Sequence, residues 1–229
     1  MLFFIAAFLL AAGMLVAYFR PAGPMILMDE FHSFKYVAFS KYESDALKIF
    51  KDGDLVYLSY LRHYDETIGH VDREMSYYVA HYRVNDEDIA GLVEMLNSSG
   101  FRRNKNLYST IFEIQGGIIF DYVLHAGDYE KRVFCNNTLP ARLERLTDFI
   151  RKIFVASHLN SQESTVIKVN KEEYREVYDL FDKGYGKNML LDRIDELQCR
   201  AMEDGAREIP LIMAVSGLFK KYSFRWLGL

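Results

Sequence analysis

Residues 1–19 (MLFFIAAFLLAAGMLVAYF) contain no charged or strongly polar side chain, and this run constrains the chain more than any other feature. As a helix rising 1.5 Å per residue it covers roughly 28 Å, close to the ~30 Å of a bilayer's hydrocarbon. In lipid every backbone N–H and C=O needs an internal partner, so residues 1–20 are expected to form a single transmembrane helix. Tyr18, Phe19 and Arg20 suit its interfacial end, where amphipathic rings and a long-stemmed guanidinium reach water. The alternatives are a buried N-terminal helix of a soluble domain and a cleaved signal peptide. The latter calls for a basic leading region and a shorter apolar stretch, and no Lys or Arg precedes this one. Arg20 is the sole nearby cation, and the positive-inside rule then leans the body towards the cytoplasmic side.

The rest of the chain has ordinary globular composition. Half of the 229 residues are apolar and 26% are charged, which excludes wholesale disorder. A net charge of -4 argues against a nucleic-acid partner, which wants a basic footprint. Two cysteines support neither a disulfide framework nor a four-cysteine metal site, and no cofactor is expected.

Five segments follow from the patterning. Residues 21–45 are expected to be an aromatic-rich connector after the Pro21 and Pro24 break, carrying Phe31, Phe34, Tyr36, Phe39 and Tyr42. Residues 46–154 are expected to form an α+β domain. Its first strands are 55–61 and 75–84, followed by a helix capped by Asn85 whose inner face is Ile89, Leu92, Val93 and Leu96, with Gly100 as its stop. Strands over 107–114, 118–125 and 129–135 and a helix opening at Thr138 and Pro140 complete the order ββαβββα. That order predicts a mainly antiparallel sheet with helices on one face. Residues 155–164 form the expected linker. Residues 165–229 are expected to be a mostly helical unit, with a short strand at 166–169 and a capping box from Asn170 to Glu173. Its last apolar segment, 209–219, is too short to span a bilayer. With Lys220, Lys221, Arg225 and Trp226 it is a candidate for the membrane interface, or else a buried final helix.

Chemistry-bearing residues give weaker signals. His63, Asp65, Glu66, His70 and Asp72, with His81 one strand away, form the densest polar group, but the spacing matches no metal motif. Cys135 and His125 lie ten residues apart across an expected hairpin, which leaves a Cys–His pairing open. Gly184-Tyr185-Gly186-Lys187 lacks the glycine and hydroxyl residue of a phosphate loop. The expectation is therefore a non-enzymatic, single-pass membrane-anchored interaction protein, touching lipid and a protein partner. The alternatives are an exported soluble binding protein and a membrane-tethered hydrolase using His63, His70 and His81 or Cys135.

Overall fold

The computed structural model describes residues 25–65, 70–109, 117–161, 166–183, 186–203 and 209, with side chains for all of these except 63–65 and 70–74. Eight strands form one mixed sheet: β1 (Phe31–Phe39), β2 (Glu43–Phe50), β3 (Asp54–Asp65), β4 (His70–Arg83), β5 (Leu107–Ser109), β6 (Ile119–Ala126), β7 (Tyr129–Asn136) and β8 (Ile167–Val169). Four helices accompany it: α1 (Asp86–Ser98), α2 (Ala141–Asn160), α3 (Lys171–Lys183) and α4 (Lys187–Glu203). The strand order is β5-β7-β6-β1-β2-β3-β4-β8. All pairings are antiparallel except β5 with β7.

Both faces of the sheet are buried, by different helices. Phe34, Tyr36, Leu47, Tyr57, Tyr82 and Tyr122 point to the first face, where α1 adds Ile89, Leu92 and Leu96 and α2 adds Leu143, Leu146, Ile150 and Phe154. Ala46, Val56, Leu58 and Val79 point the other way and meet Tyr174, Val177 and Phe181 of α3 and Leu190, Ile194 and Leu197 of α4. The consecutive burial of Leu55, Val56, Tyr57 and Leu58 follows from this, because successive residues of a strand covered on both sides point alternately into two cores.

The caps form as the residue types dictate. Asn85 Oδ1 accepts the Asp88 N–H at 2.7 Å, satisfying one orphan donor of α1. Asn170 and Glu173 exchange side-chain-to-backbone bonds of 3.0 and 2.9 Å, a complete capping box for α3. Gly100 takes a positive φ of 62° after α1, a conformation that costs glycine little.

Several expectations change. Helices cover both faces of the sheet rather than one, because β2, β3 and β4 carry apolar side chains on both sides of their pleat. Residues 31–39, expected in a connector, form β1, which lies at the interior of the sheet between β6 and β2. Residues 155–160, expected in a linker, are the closing turns of α2, where Ser157 is buried and His158 meets the Tyr82 hydroxyl at 2.9 Å. The strand expected at 166–169 joins the same sheet, pairing with β4 at Tyr77–Val79. β5 pairs with β7 in parallel, the one departure from the antiparallel pattern expected of the sheet. Among the described residues no helix is long and apolar enough to cross a membrane. Residues 1–20, including Tyr18, Phe19 and Arg20, lie outside the described residues, as do Lys220, Lys221, Arg225 and Trp226.

Candidate functional site

The polar residues of the body gather at three places, and the first is the β2–β3 turn. Gly53 turns the chain with a φ of 92°, and a Cβ there would stand 2.7 Å from the Val84 carbonyl oxygen. Asp54, opening β3, is almost wholly buried, and an arginine, a lysine and a histidine converge on its carboxylate. His81 Nε2 lies 2.9 Å from Asp54 Oδ1 and Arg83 donates to the same oxygen at 2.6 Å. Lys187, the first residue of α4, bonds both Asp52 and Asp54. His81 Nδ1 faces Asp195 of α4 at 3.3 Å. Burial alone would raise the Asp54 carboxyl, but the hydrogen bonds from Lys187, His81 and Arg83 outweigh it and hold the group down at about 2. The knot fastens the N-terminal half of α4 to the sheet. It has the groups of a proton-transfer site, yet each is engaged by its neighbours.

The second place is a strip on the face shared with α3. Lys35 and Lys48 stand directly opposite each other on β1 and β2, and both are buried. Lys35 Nζ donates to Asp182 at 2.7 Å, which is the first reason the Asp182 carboxyl sits below the usual range. Lys48 Nζ donates to the Phe181 carbonyl oxygen at 2.9 Å, near the C-terminal, negative end of α3. Its ammonium also lies 5.5 Å from the Phe50 ring centre and 5.6 Å from that of Phe181. Burial, followed by the Lys35 ammonium, pulls the Lys48 amine from 10.5 to about 8. Alongside, Arg132 clamps Asp121 through two bonds of 2.8 and 2.9 Å.

The third is a cavity of about 450 Å³ between β8, α3 and α4, lined by Ile167, Val169, Glu173, Leu197, Arg200 and Ala201. Glu173 and Arg200 are ion-paired at its rim. Among the described residues β8 has no neighbour on its outer side, so the cavity lies beside a strand edge. No family model, curated protein or solved structure matches the chain. What these three places can do therefore follows from their own geometry.

The structure places His81 far from His70, while Asp65 and His70 pair directly across β3 and β4. His70 and His81 lie eleven positions apart on the one strand β4, roughly 36 Å at ~3.3 Å per residue. The β3–β4 hairpin is far longer than the patterning implied, so His81 works with Asp54 at its other end. The side chains of His63, Asp65, His70 and Asp72 lie outside the described ones, and Glu66 lies outside the described residues. Among the described residues no group of three or more His, Cys, Asp or Glu side chains is arranged to hold a metal ion.

Cys135 pairs opposite Phe120 and turns into the first core, whereas His125 pairs opposite Glu130. An odd offset along an antiparallel pair puts them on opposite faces, so they do not meet. Burial first, and Asp121 second, push the Cys135 thiol up to about 11, which keeps it protonated and unreactive near neutral pH.

Two further residues were silent in the sequence. Asn97 donates to the Ile26 carbonyl at 2.9 Å and accepts the Ile26 N–H at 2.8 Å, clamping the chain where it enters the body. Arg151, buried in the first core, donates to the Tyr36 hydroxyl at 2.6 Å. An arginine on the inner stripe of α2 was the available signal for the second, and an asparagine in the last turn of α1 for the first.

Proposed function

We propose that the protein is a single-pass, membrane-anchored interaction protein whose N-terminal run holds the α+β body against a lipid surface while the body engages a partner protein. One observation carries this: the chain that follows the apolar run enters the body through a fixed joint. Ile26 is buried in the first core, and both of its backbone polar groups are taken by Asn97. A flexible leader destined for removal has no need of such a joint, whereas an anchor that must orient a body does. Arg20 favours a cytoplasmic position for that body.

The groove beside β8 supports the interaction role. It lies at the edge of the sheet four strands from β1, roughly 19 Å across at ~4.8 Å per strand, and so away from the joint. An extended segment of a partner protein gains backbone pairing at the outer edge of β8 and an apolar seat on Ile167, Val169 and Leu197. Two of the groups that a tethered hydrolase would use, His81 and Cys135, are committed elsewhere. His81 is bonded to Asp54, which Lys187 also holds, and Cys135 is a buried thiol.

Alkaline carbonate extraction of native membranes tests the proposal. The full chain is expected to stay with the membrane pellet, and a chain lacking residues 2–19 to be released. Release of the full chain, or an intact mass showing that residues 1–19 have been removed, would overturn it in favour of the exported binding protein.

A further inference from the structure

Met25, Ile26, Leu27 and Met28 are four consecutive apolar residues, and only Ile26 turns inward. Met25 is 62% exposed and Leu27 57%, and Met28 stands beside them, also exposed. They are presented by a turn in which the Glu30 and Phe31 N–H groups both donate to the Leu27 carbonyl oxygen at 3.1 Å. The β6–β7 turn lies against it, because the Gly127 N–H donates to the Glu30 carbonyl at 2.7 Å. Tyr129, an exposed aromatic, sits just past that turn with the Arg102 guanidinium 4.9 Å from its ring centre. The other large apolar side chains exposed on the described surface, such as Tyr42, Leu107, Leu159, Met189 and Met202, are spread through the sequence. Scattered exposure of that kind is ordinary, whereas three of four consecutive residues turned outward is a patch.

The patch occupies a defined place in the chain. Only residues 20–24 separate it from the end of the apolar run at Phe19, a tether of roughly 20 Å even when fully extended. The Asn97 clamp on Ile26 removes any slack beyond that point. A body carried on so short a tether cannot hold this turn far from the headgroup layer.

We infer that Met25, Leu27, Met28 and Tyr129 form a lipid-contact surface that seats the body on the membrane, with the two methionines and the leucine entering the interface. The contact rests on the membrane anchor proposed above. Its chemistry is apolar rather than electrostatic. Glu30 is countered by Arg102 at 3.8 Å, and the Lys51 ammonium is tied to the Asp29 backbone carbonyl at 2.8 Å rather than pointing free beside the patch. Flexible thioethers and a leucine suit the disordered headgroup–acyl boundary, and the Tyr129 ring suits the same depth.

The full chain in vesicles of phosphatidylcholine alone tests this. In a Cys199→Ser background, a nitroxide is placed at Met28→Cys or, as the reference, at Met202→Cys at the end of α4. Its collision rates with oxygen, which partitions into lipid, and with a water-soluble nickel chelate are then compared. Cys135 is buried and does not compete for the label. The oxygen-to-nickel ratio at position 28 is expected to exceed that at 202 by about fivefold or more, as for a side chain in the interface. Equal ratios in a chain that still floats with the vesicles would overturn the contact and leave the anchor standing. Exclusion of both reagents from position 28 would show protein covering the patch, and would overturn it as well. A chain that fails to float would sink the anchor and the contact together.

Discussion

Replacing Lys48 by Met should stabilise the protein near neutral pH, and the gain should fade as the pH rises. In the folded chain the Lys48 amine titrates at about 8, against 10.5 when free, with burial the chief cause and the Lys35 ammonium the second. Below pH 8 the folded state must hold this amine charged, at a cost of at most about 3 kcal/mol. As the pH climbs from 8 towards 10.5 the folded state sheds its proton before the unfolded chain does, so the cost falls away. A methionine of similar length keeps the apolar stem packed on Phe50 and Phe181 and has no charge to bury. It also loses the hydrogen bond to the Phe181 carbonyl, which offsets about 1–1.5 kcal/mol. The net expectation at pH 7 is a gain of about 1–2 kcal/mol, a rise in Tm of roughly 4 °C for a body of this size. By pH 9.5 the advantage should shrink by about 2 kcal/mol and vanish.

Thermal unfolding followed by near-ultraviolet circular dichroism, run on both proteins in a mild detergent across pH 6.5–9.5, measures the difference directly. The comparison cancels the buried tyrosines Tyr57, Tyr122 and Tyr174, whose hydroxyls titrate well above 10 and which both proteins share. A methionine variant that is less stable at pH 7, or a difference that does not move with pH, would refute the reasoning.

Three other outcomes follow from the same geometry. Maleimide at pH 8 should label Cys199, which is exposed, and leave Cys135 unlabelled until unfolding, because a thiol at about 11 holds only ~0.1% thiolate there; labelling of both in the native protein would contradict its burial. Asp54→Asn should cost about 1 kcal/mol after allowance for solvent screening, and should flatten the loss of stability that wild type shows as pH falls from about 4 to 2, since the folded carboxyl is held at about 2; acid titration monitored by fluorescence reads this, and an unchanged acid limb counts against the knot. Tyr36→Phe removes the hydroxyl that accepts from buried Arg151 and should cost about 1.5–3 kcal/mol in urea denaturation; a neutral result would mean that the guanidinium finds full compensation elsewhere.

Local signals carried the helices. Asn85 and Asn170 announce their caps, and the spacing of Ile89, Leu92, Val93 and Leu96 is enough by itself to give the inner face of α1. The alternation of β1 was harder to recognise. Phe34, Tyr36 and Ala38 face one core, but His32 before them and Lys35 among them resemble a solvated surface. Lys35 is nevertheless buried, and the carboxylate that makes this tolerable, Asp182, stands 147 residues away. The unbroken apolar stretch at Leu55–Leu58 held the clue that helices lie on both faces. The Asp54 knot was illegible for a related reason. Asp52-Gly53 signals a turn, and the partners His81, Arg83 and Lys187 come from two other elements that only the folded chain brings near. His81 parts from His70 on length, since nothing local in β4 reveals that the strand runs on for 14 residues.

The order in which the chain leaves the ribosome gives the two-sided sheet a further consequence. Every strand but β8 is made by Asn136, and α2 follows at once to roof the first face. Until residues 167–203 emerge, Ala46, Val56, Leu58 and Val79 have no cover among the described residues, and the long β4 offers its outer edge as a template for neighbouring chains. A chain released near residue 160 would therefore be a sticky, half-roofed intermediate, so premature termination there should yield inclusion bodies rather than a smaller working module.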